Sequence, residues 1–202
     1  MARKRLTREE SRDQTRQRLL ESAAVIIAKK GLAASSVEDV AAHAGYTRGA
    51  FYSNFKSKND LFIELLKLDH ADIQQGLQEI LDAGLSIKDL QKQLELFYVQ
   101  SYCGENSFTL WAEARLLALR DARFRTRLNA LTMEKRDVIA YFIEKFSALM
   151  GTTLPAPAAD LALGTMAMID GVRFFHESMP NELSDAAAQK MLSAIFTKTF
   201  FS

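Results

Sequence analysis

The sequence is poor in the residues that staple or interrupt a fold. A single cysteine, Cys103, excludes an internal disulfide, and the three histidines, His43, His70 and His176, lie too far apart to suggest a metal framework. Three prolines and nine glycines in 202 residues leave long stretches free to be helical. Alternating apolar and polar runs are missing, which argues against strands. Long apolar runs are missing too. The most apolar stretch, Pro157 to Met179, is interrupted by Asp160, Asp170 and Arg173, so it reads as a buried helix and not as a membrane span. No nucleophile–base pairing, phosphate-binding glycine loop or ligand cluster stands out, so the expectation is a protein without catalysis, cofactor or metal.

Net charge is only +1, but the average hides a division. Residues 1–60 hold twelve Lys and Arg against seven Asp and Glu, whereas residues 61–202 hold fourteen against eighteen. A basic amino-terminal block on an acidic remainder points to a polyanion partner for the first block alone. Residues 1–14 are charged and without apolar periodicity, which predicts a mobile basic arm and no secretory leader. Together with the lone cysteine, this predicts a cytoplasmic protein. Cys103 has no adjacent cation to lower its pKa, so a redox role is not expected.

The remaining pattern is helical. From Thr15, apolar residues recur at Leu19, Leu20, Ala23, Ala24 and Ile27, with Gly31 placed to end the helix. Ser35-Ser36-Val37-Glu38 reads as a Ser-x-x-Glu capping box before a short helix bearing Val37, Val40, Ala41 and Ala44. Gly45 ends it, and a third short helix follows around Arg48–Ser53. A long helix begins at Ser57, with Asp60 as its box partner, and runs to about Asp82. Further helices are read at Ser86–Tyr102, Glu105–Arg120, Ala122–Met150, Ala158–Ser178 and about 184–200. The expected class is all-α with about nine helices: a basic first domain over residues 1–60, with its two short helices and their turn at 36–55, then a helical bundle over 61–202.

Two short helices joined by a tight glycine turn have the geometry of a helix-turn-helix. Thr47 is placed to cap the second helix, and Gly49 and Ala50 keep its leading edge small. Phe51 and Phe55, four residues apart, would anchor it inward and leave Arg48, Tyr52, Ser53 and Asn54 facing out. Such a helix fits the major groove, its first residues nearest the base edges.

The segment VEDVAAHAGYTRGAFYSNF resembles the DNA-binding domain of the TetR (tetracycline-repressor-like) family of regulators. The residues that carry the resemblance are Asp39-Val40-Ala41 after Val37, Ala44-Gly45, Gly49-Ala50-Phe51-Tyr52, and Phe55-Lys56-Ser57-Lys58 with Leu61 beyond. The match covers about residues 15–62. Beyond it only helix count, length and Asp170-Gly171 agree. One departure is Asn54, where family members commonly carry histidine.

Chemistry and resemblance together assign the roles. Arg48 is the expected base reader, because a guanidinium can bridge two guanine acceptors. Thr47, Gly49 and Ala50 would meet bases or thymine methyls. Ser36, Tyr52, Ser53, Asn54, Lys56 and Lys58 are expected on the DNA face, mostly against phosphates, and Arg3, Lys4 and Arg5 nearby. In the second domain, Phe97, Tyr102, Phe108, Trp111, Glu113, Met133, Phe142, Met166, Asp170 and Phe174 are candidates for a largely apolar effector pocket, although most residues of this kind at helical spacing are simply core. The last two helices are apolar enough for a two-fold four-helix interface, with Gly164, Thr165, Ala167, Gly171 and Val172 permitting close approach, and the resemblance implies the same. The expected function is a homodimeric repressor released from a palindromic DNA operator by a small ligand. The alternative is an activator or partner-controlled regulator without a small-molecule pocket.

Overall fold

The computed structural model describes residues 7–102 and 107–200, except for the side chains of Ser101, Tyr102 and Ser107. Arg3, Lys4, Arg5 and Cys103 therefore lie outside the described residues. Among those described there are nine helices and no strand: α1 (Arg8–Ala34), α2 (Val37–His43), α3 (Arg48–Tyr52), α4 (Lys58–Asp82), α5 (Ile87–Tyr102), α6 (Ser107–Arg120), α7 (Ala122–Met150), α8 (Ala158–Ser178) and α9 (Asp185–Phe200).

Three boundaries differ from the sequence reading, and two of the differences come from capping. The first helix starts at Arg8, so residues 8–14 of the expected arm are helical. Thr7 accepts from the Glu10 amide at 3.1 Å while its own amide donates to the Glu10 carboxylate at 2.7 Å. This box nucleates a solvated first turn that no apolar stripe announces. At α2 the capping box is Ser36 with Asp39 in place of Ser35 with Glu38. Ser35 is buried and its hydroxyl donates back to the Gly31 carbonyl at 2.6 Å, so it is not available as the cap. Gly31 itself, at φ 79°, interrupts α1 without ending it.

Contacts divide the chain into two compact units: residues 1–69 with 109–128, and residues 70–108 with 129–202. Thr109–Leu128 thus pack with the amino-terminal helices, a grouping that sequence order does not suggest. In this unit Leu19, Ala23, Ile27, Val40, Phe51, Leu61, Phe62, Leu66 and Phe124 are almost wholly buried. Phe62 of α4 stacks on Phe124 of α7 with centroids 5.8 Å apart.

The other unit packs three clusters. Leu77, Leu90, Leu94, Phe142 and Phe146 join α4, α5 and α7. Tyr98, Val172, Ala188 and Leu192 join α5, α8 and α9. Ala140, Ala158 and Ala162 let α7 and α8 approach closely. Gly76 of α4 faces the Phe97 ring so tightly that a Cβ would stand 2.4 Å from it.

Tyr98 stacks on Phe196 at 4.6 Å, and among the described residues its buried hydroxyl meets no hydrogen-bond partner. Burial pushes that phenol up from 10.0 to about 12. A raised phenol pKa means that folding favours the protonated ring. This contribution is complete below pH 10 and is lost as pH climbs towards 12. Tyr98→Phe is expected to raise stability by about 1 kcal/mol near neutrality, because an unsatisfied buried hydroxyl is removed without a cavity. It should also flatten the alkaline loss. Urea unfolding of both proteins at neutral and alkaline pH measures the two effects, and a destabilised phenylalanine variant would contradict the argument.

Candidate nucleic-acid interface

The amino-terminal unit presents α3 through supports on three other helices. α2 ends at a turn where Gly45, at φ 76°, adopts the left-handed conformation that closes it. The Tyr46 amide then donates to the Ala41 carbonyl at 2.8 Å. Thr47 caps α3 as expected, accepting from the Ala50 amide at 3.3 Å. Phe51 is fully buried and contacts Phe55 with centroids 5.7 Å apart, so α3 hangs on this aromatic pair.

The face opposite Phe51 is outward. Thr47, Arg48, Gly49, Tyr52 and Ser53 are exposed, and Ala50 is half-buried. A Cβ on Gly49 would find nothing nearer than the Thr47 hydroxyl at 3.6 Å, so nothing inside the protein requires glycine there. Ser53 turns its hydroxyl back to the Gly49 carbonyl at 2.9 Å. Arg48 lies over the Tyr52 ring at 5.5 Å and pairs with Glu38 at 3.0 Å. The Arg48 and Glu38 side chains are 65% and 56% exposed, so the pair is worth at most about 1 kcal/mol. A guanine edge or phosphate can compete with that. Glu38 is a holder of Arg48 that sequence spacing did not reveal, because ten residues and a turn separate them.

Besides Ser53, three expected DNA-face residues have other occupations. The Ser36 hydroxyl is engaged as the α2 cap, donating to the Asp39 carboxylate at 2.6 Å. Asn54 donates its amide to the Ala50 carbonyl at 2.8 Å, and its Oδ1 is buried without a partner among the described residues. One of its two amide hydrogens is therefore turned back onto its own helix. Lys58 donates to the Leu32 and Ser35 carbonyls at 2.6 Å each, capping the end of α1. Burial lowers its pKa, and the nearby Asp39 carboxylate opposes that effect. Asp39 is held far below the usual carboxylate range, first by Lys30 at 2.6 Å and then by Ser36. Lys30, Asp39 and Lys58 thus brace α1, α2 and α4 around the turn.

Arg16 is a further support that the sequence did not single out. It donates to the Asn54 carbonyl at 3.3 Å, pairs with Glu64 at 2.9 Å and covers the Phe55 ring at 4.5 Å. It therefore ties the end of α3 to α1 and α4. Lys56 is exposed just ahead of α4, whose first turn is capped by Ser57 and Asp60 as expected.

The effector candidates fall in both compact units. Trp111 and Glu113 belong to the amino-terminal unit, where the indole donates to Asp69 at 2.7 Å and the Glu113 carboxylate covers Gly31. In the other unit, Met133 and Phe142 share an open groove of about 610 Å³ with Gln74, Gln78, Val138 and Tyr141. Phe97 packs on Gly76, Arg173 covers the Phe108 ring at 5.3 Å, and Met166 and Asp170 are half-buried on α8. Phe174 stands 60% exposed, because Val172 and Arg173 occupy the inward side of α8. Val172 is accordingly core and not part of an outer face, whereas Leu163, Phe174, Phe175, Met191 and Ile195 leave an apolar surface on α8 and α9. Cβ atoms on Gly164 and Gly171 would meet nothing within 4 Å. Among the described residues no His, Cys, Asp and Glu group could hold a metal, and no helix is long and apolar enough to cross a membrane.

Comparison with known proteins follows this division. Residues 19–65 match the sequence profile of the bacterial regulatory proteins of the tetR family. The chain is 41% identical over 83 residues to the transcriptional repressor KstR2 of Mycolicibacterium smegmatis, covering 41% of this chain and 39% of that protein. The curated relatives are matched over only about a third to two fifths of their own length. Likeness of fold extends further. A Rhodococcus sp. protein assigned to the TetR family superposes with a TM-score of 0.77 at 22% identity, over 93% of this chain and 99% of that one. The regulator FadR of Bacillus subtilis, solved with stearoyl-CoA, gives 0.70 at 16% identity, over 89% and 96%.

Proposed function

We propose that this chain, a member of the tetR family through its amino-terminal domain, is a homodimeric, sequence-specific DNA-binding regulator. It represses by holding a palindromic operator and lets go when a small, largely apolar ligand binds its second unit. The observation that carries the reading is the outward face of α3. Arg48, Tyr52 and Gly49 are exposed there on a helix whose opposite side, Phe51, is fully buried. A helix so held can lie in a major groove, with its amino-terminal residues against base edges.

The contacts divide by chemistry. Arg48, Thr47, Gly49 and Ala50 meet bases, and Tyr52 and Lys56 meet backbone phosphates, whereas the Ser53 hydroxyl is spent on the Gly49 carbonyl. Ser36, Asn54 and Lys58 are positioning residues in this reading, because their polar groups are spent on caps. Glycine at 49 then serves the duplex and not the fold. Gly49→Ala should fold at least as stably as the parent, since alanine is the better helix former by about 1 kcal/mol. Its added methyl should nonetheless lower affinity for the preferred duplex several-fold. Unfolding and duplex titration together separate the two, and unchanged binding would remove Gly49 from the interface.

Dimerisation is supported by the apolar surface of α8 and α9 and by the open space beside Gly164 and Gly171. One recognition helix reads too few base pairs alone, so a two-fold pair is needed. Ligand release requires the effector to prefer one dimer shape over the other. The groove at Met133 and Phe142, lined also by Gln74, Gln78, Glu134 and Asp137, supports an effector with an apolar body and a polar group, as does a fold shared with a regulator solved with stearoyl-CoA. Selection of bound duplexes from a random pool tests the reading. Recovery of an inverted repeat supports it, and a pool that stays random overturns it.

A further inference from the structure

The corner between α6 and α7 concentrates positive charge in a region that is otherwise acidic. Five cations, Arg115, Arg120, Arg123, Arg125 and Arg127, fall within thirteen residues that contain one carboxylate after Glu113, Asp121. All five are exposed. Their electrostatic surroundings are unequal. Arg127 pairs with Asp60 at 2.6 Å, and Arg125 donates to the Ala118 carbonyl at 3.5 Å. No carboxylate among the described residues neutralises Arg120 or Arg123. Asp121 is occupied by the amides of Arg123 and Phe124 at 2.9 and 3.0 Å, and by Asn59 at 3.5 Å.

These contacts set the corner beside the start of α4, within the same compact unit. Asn59 reaches Asp121, and Asp60 reaches Arg127. The Asp60 carboxylate is held low first by the Ser57 hydroxyl and further by Arg127 and Lys56, so Lys56 also lies near this corner. Lys56 is the phosphate contact of the reading above. Lys56 and Arg127 thus share the field of Asp60, and Arg120 and Arg123 flank Asp121, which the neighbouring Asn59 contacts.

We infer that the α6–α7 corner is a second DNA-contacting element, in which Arg120 and Arg123 neutralise backbone phosphates flanking the base-read sequence. The inference rests on the DNA-binding reading. Its occupant follows from charge complementarity and from continuity with Lys56. Contacts of this type add affinity without sequence preference and make binding more sensitive to salt, because each neutralised phosphate releases condensed counterions.

The test uses the full chain and a duplex carrying the sequence it selects, with about ten extra base pairs on each side. Dissociation constants are measured across a salt series for the parent, R120Q/R123Q and R120K/R123K. The expected result is that the glutamine variant loses about 0.9 from the magnitude of the log–log salt slope for each phosphate contact removed. Its preference for the selected over a scrambled sequence should stay unchanged. The lysine variant should restore the slope, since a phosphate needs only the charge. Trimming the flanks should lower the parent's slope to that of the glutamine variant. A glutamine variant with the parental slope overturns the inference, including the case in which the corner receives a protein through the exposed Leu116 and Leu119. Failure of the parent to select any sequence would instead bring down the DNA-binding reading itself.

Discussion

Arg48→Ala is expected to abolish most of the sequence preference while leaving the fold untouched. Arg48 is 65% exposed, and its partner Glu38 is 56% exposed, so removing the pair costs the folded state at most about 1 kcal/mol. A guanidinium bridging two guanine acceptors is worth about 1–3 kcal/mol of discrimination, or roughly 5- to 150-fold per half-site. Two half-sites multiply that factor on a palindrome. Competition titrations of the selected duplex against a scrambled one, beside thermal unfolding, measure both quantities. Parental discrimination in the variant would take Arg48 out of the role of base reader. An equal loss on both duplexes would assign it to a phosphate.

Phe51→Ala should produce the opposite pattern. The ring is fully buried, edge-on to Tyr52 at 5.4 Å and tilted against Phe55 at 5.7 Å. Deleting a buried phenyl group typically costs about 3–5 kcal/mol. Single domains are stable by only about 5–15 kcal/mol, so the loss is a large share of the total. α3 has five residues, far fewer than a free helix needs, and Phe51 is the one residue of α3 that is buried. DNA binding should therefore fail together with stability, for the selected and scrambled duplexes alike. Urea unfolding gives the energy, with the midpoint shifted and the slope kept. A change below about 1 kcal/mol would mean that the core around α3 repacks and that the helix has another anchor.

The two variants separate what local pattern carries from what it cannot. Helix positions were legible because their signals lie within a few residues: apolar recurrence, Gly45 after α2, Thr47 before α3, and Ser57 with Asp60 before α4. Where the reading slipped, it did so between equivalent local options. Ser35 and Ser36 are both good caps, and only burial of Ser35 against α1 decided between them. The start of α1 was missed because its first two turns are solvated and carry no apolar stripe.

Beyond the local caps at Thr47 and Ser57, side-chain occupation was not legible. Nothing in KSK distinguishes Lys56 from Lys58, yet one is exposed and the other caps two carbonyls of α1. Asn54 has the chemistry of a phosphate donor, but its amide is satisfied by Ala50 four residues back. Trp111 and Glu113 looked like neighbours of Phe97 and Phe142 by composition, and the packing assigned them to different units.

By itself the sequence determined the all-helical class, the order and length of most helices, and the helix-turn-helix with its outward Arg48. These follow from interactions spanning three or four residues, which a linear text preserves. The tertiary structure decided which polar groups remain available: Arg48 held by an exposed carboxylate, Lys58 spent, Arg16 and Lys30 bracing, and Arg120 and Arg123 exposed on either side of Asp121. Those outcomes depend on pairs from nine to several tens of residues apart, brought together by packing, where satisfying a carbonyl or carboxylate outweighs any local preference.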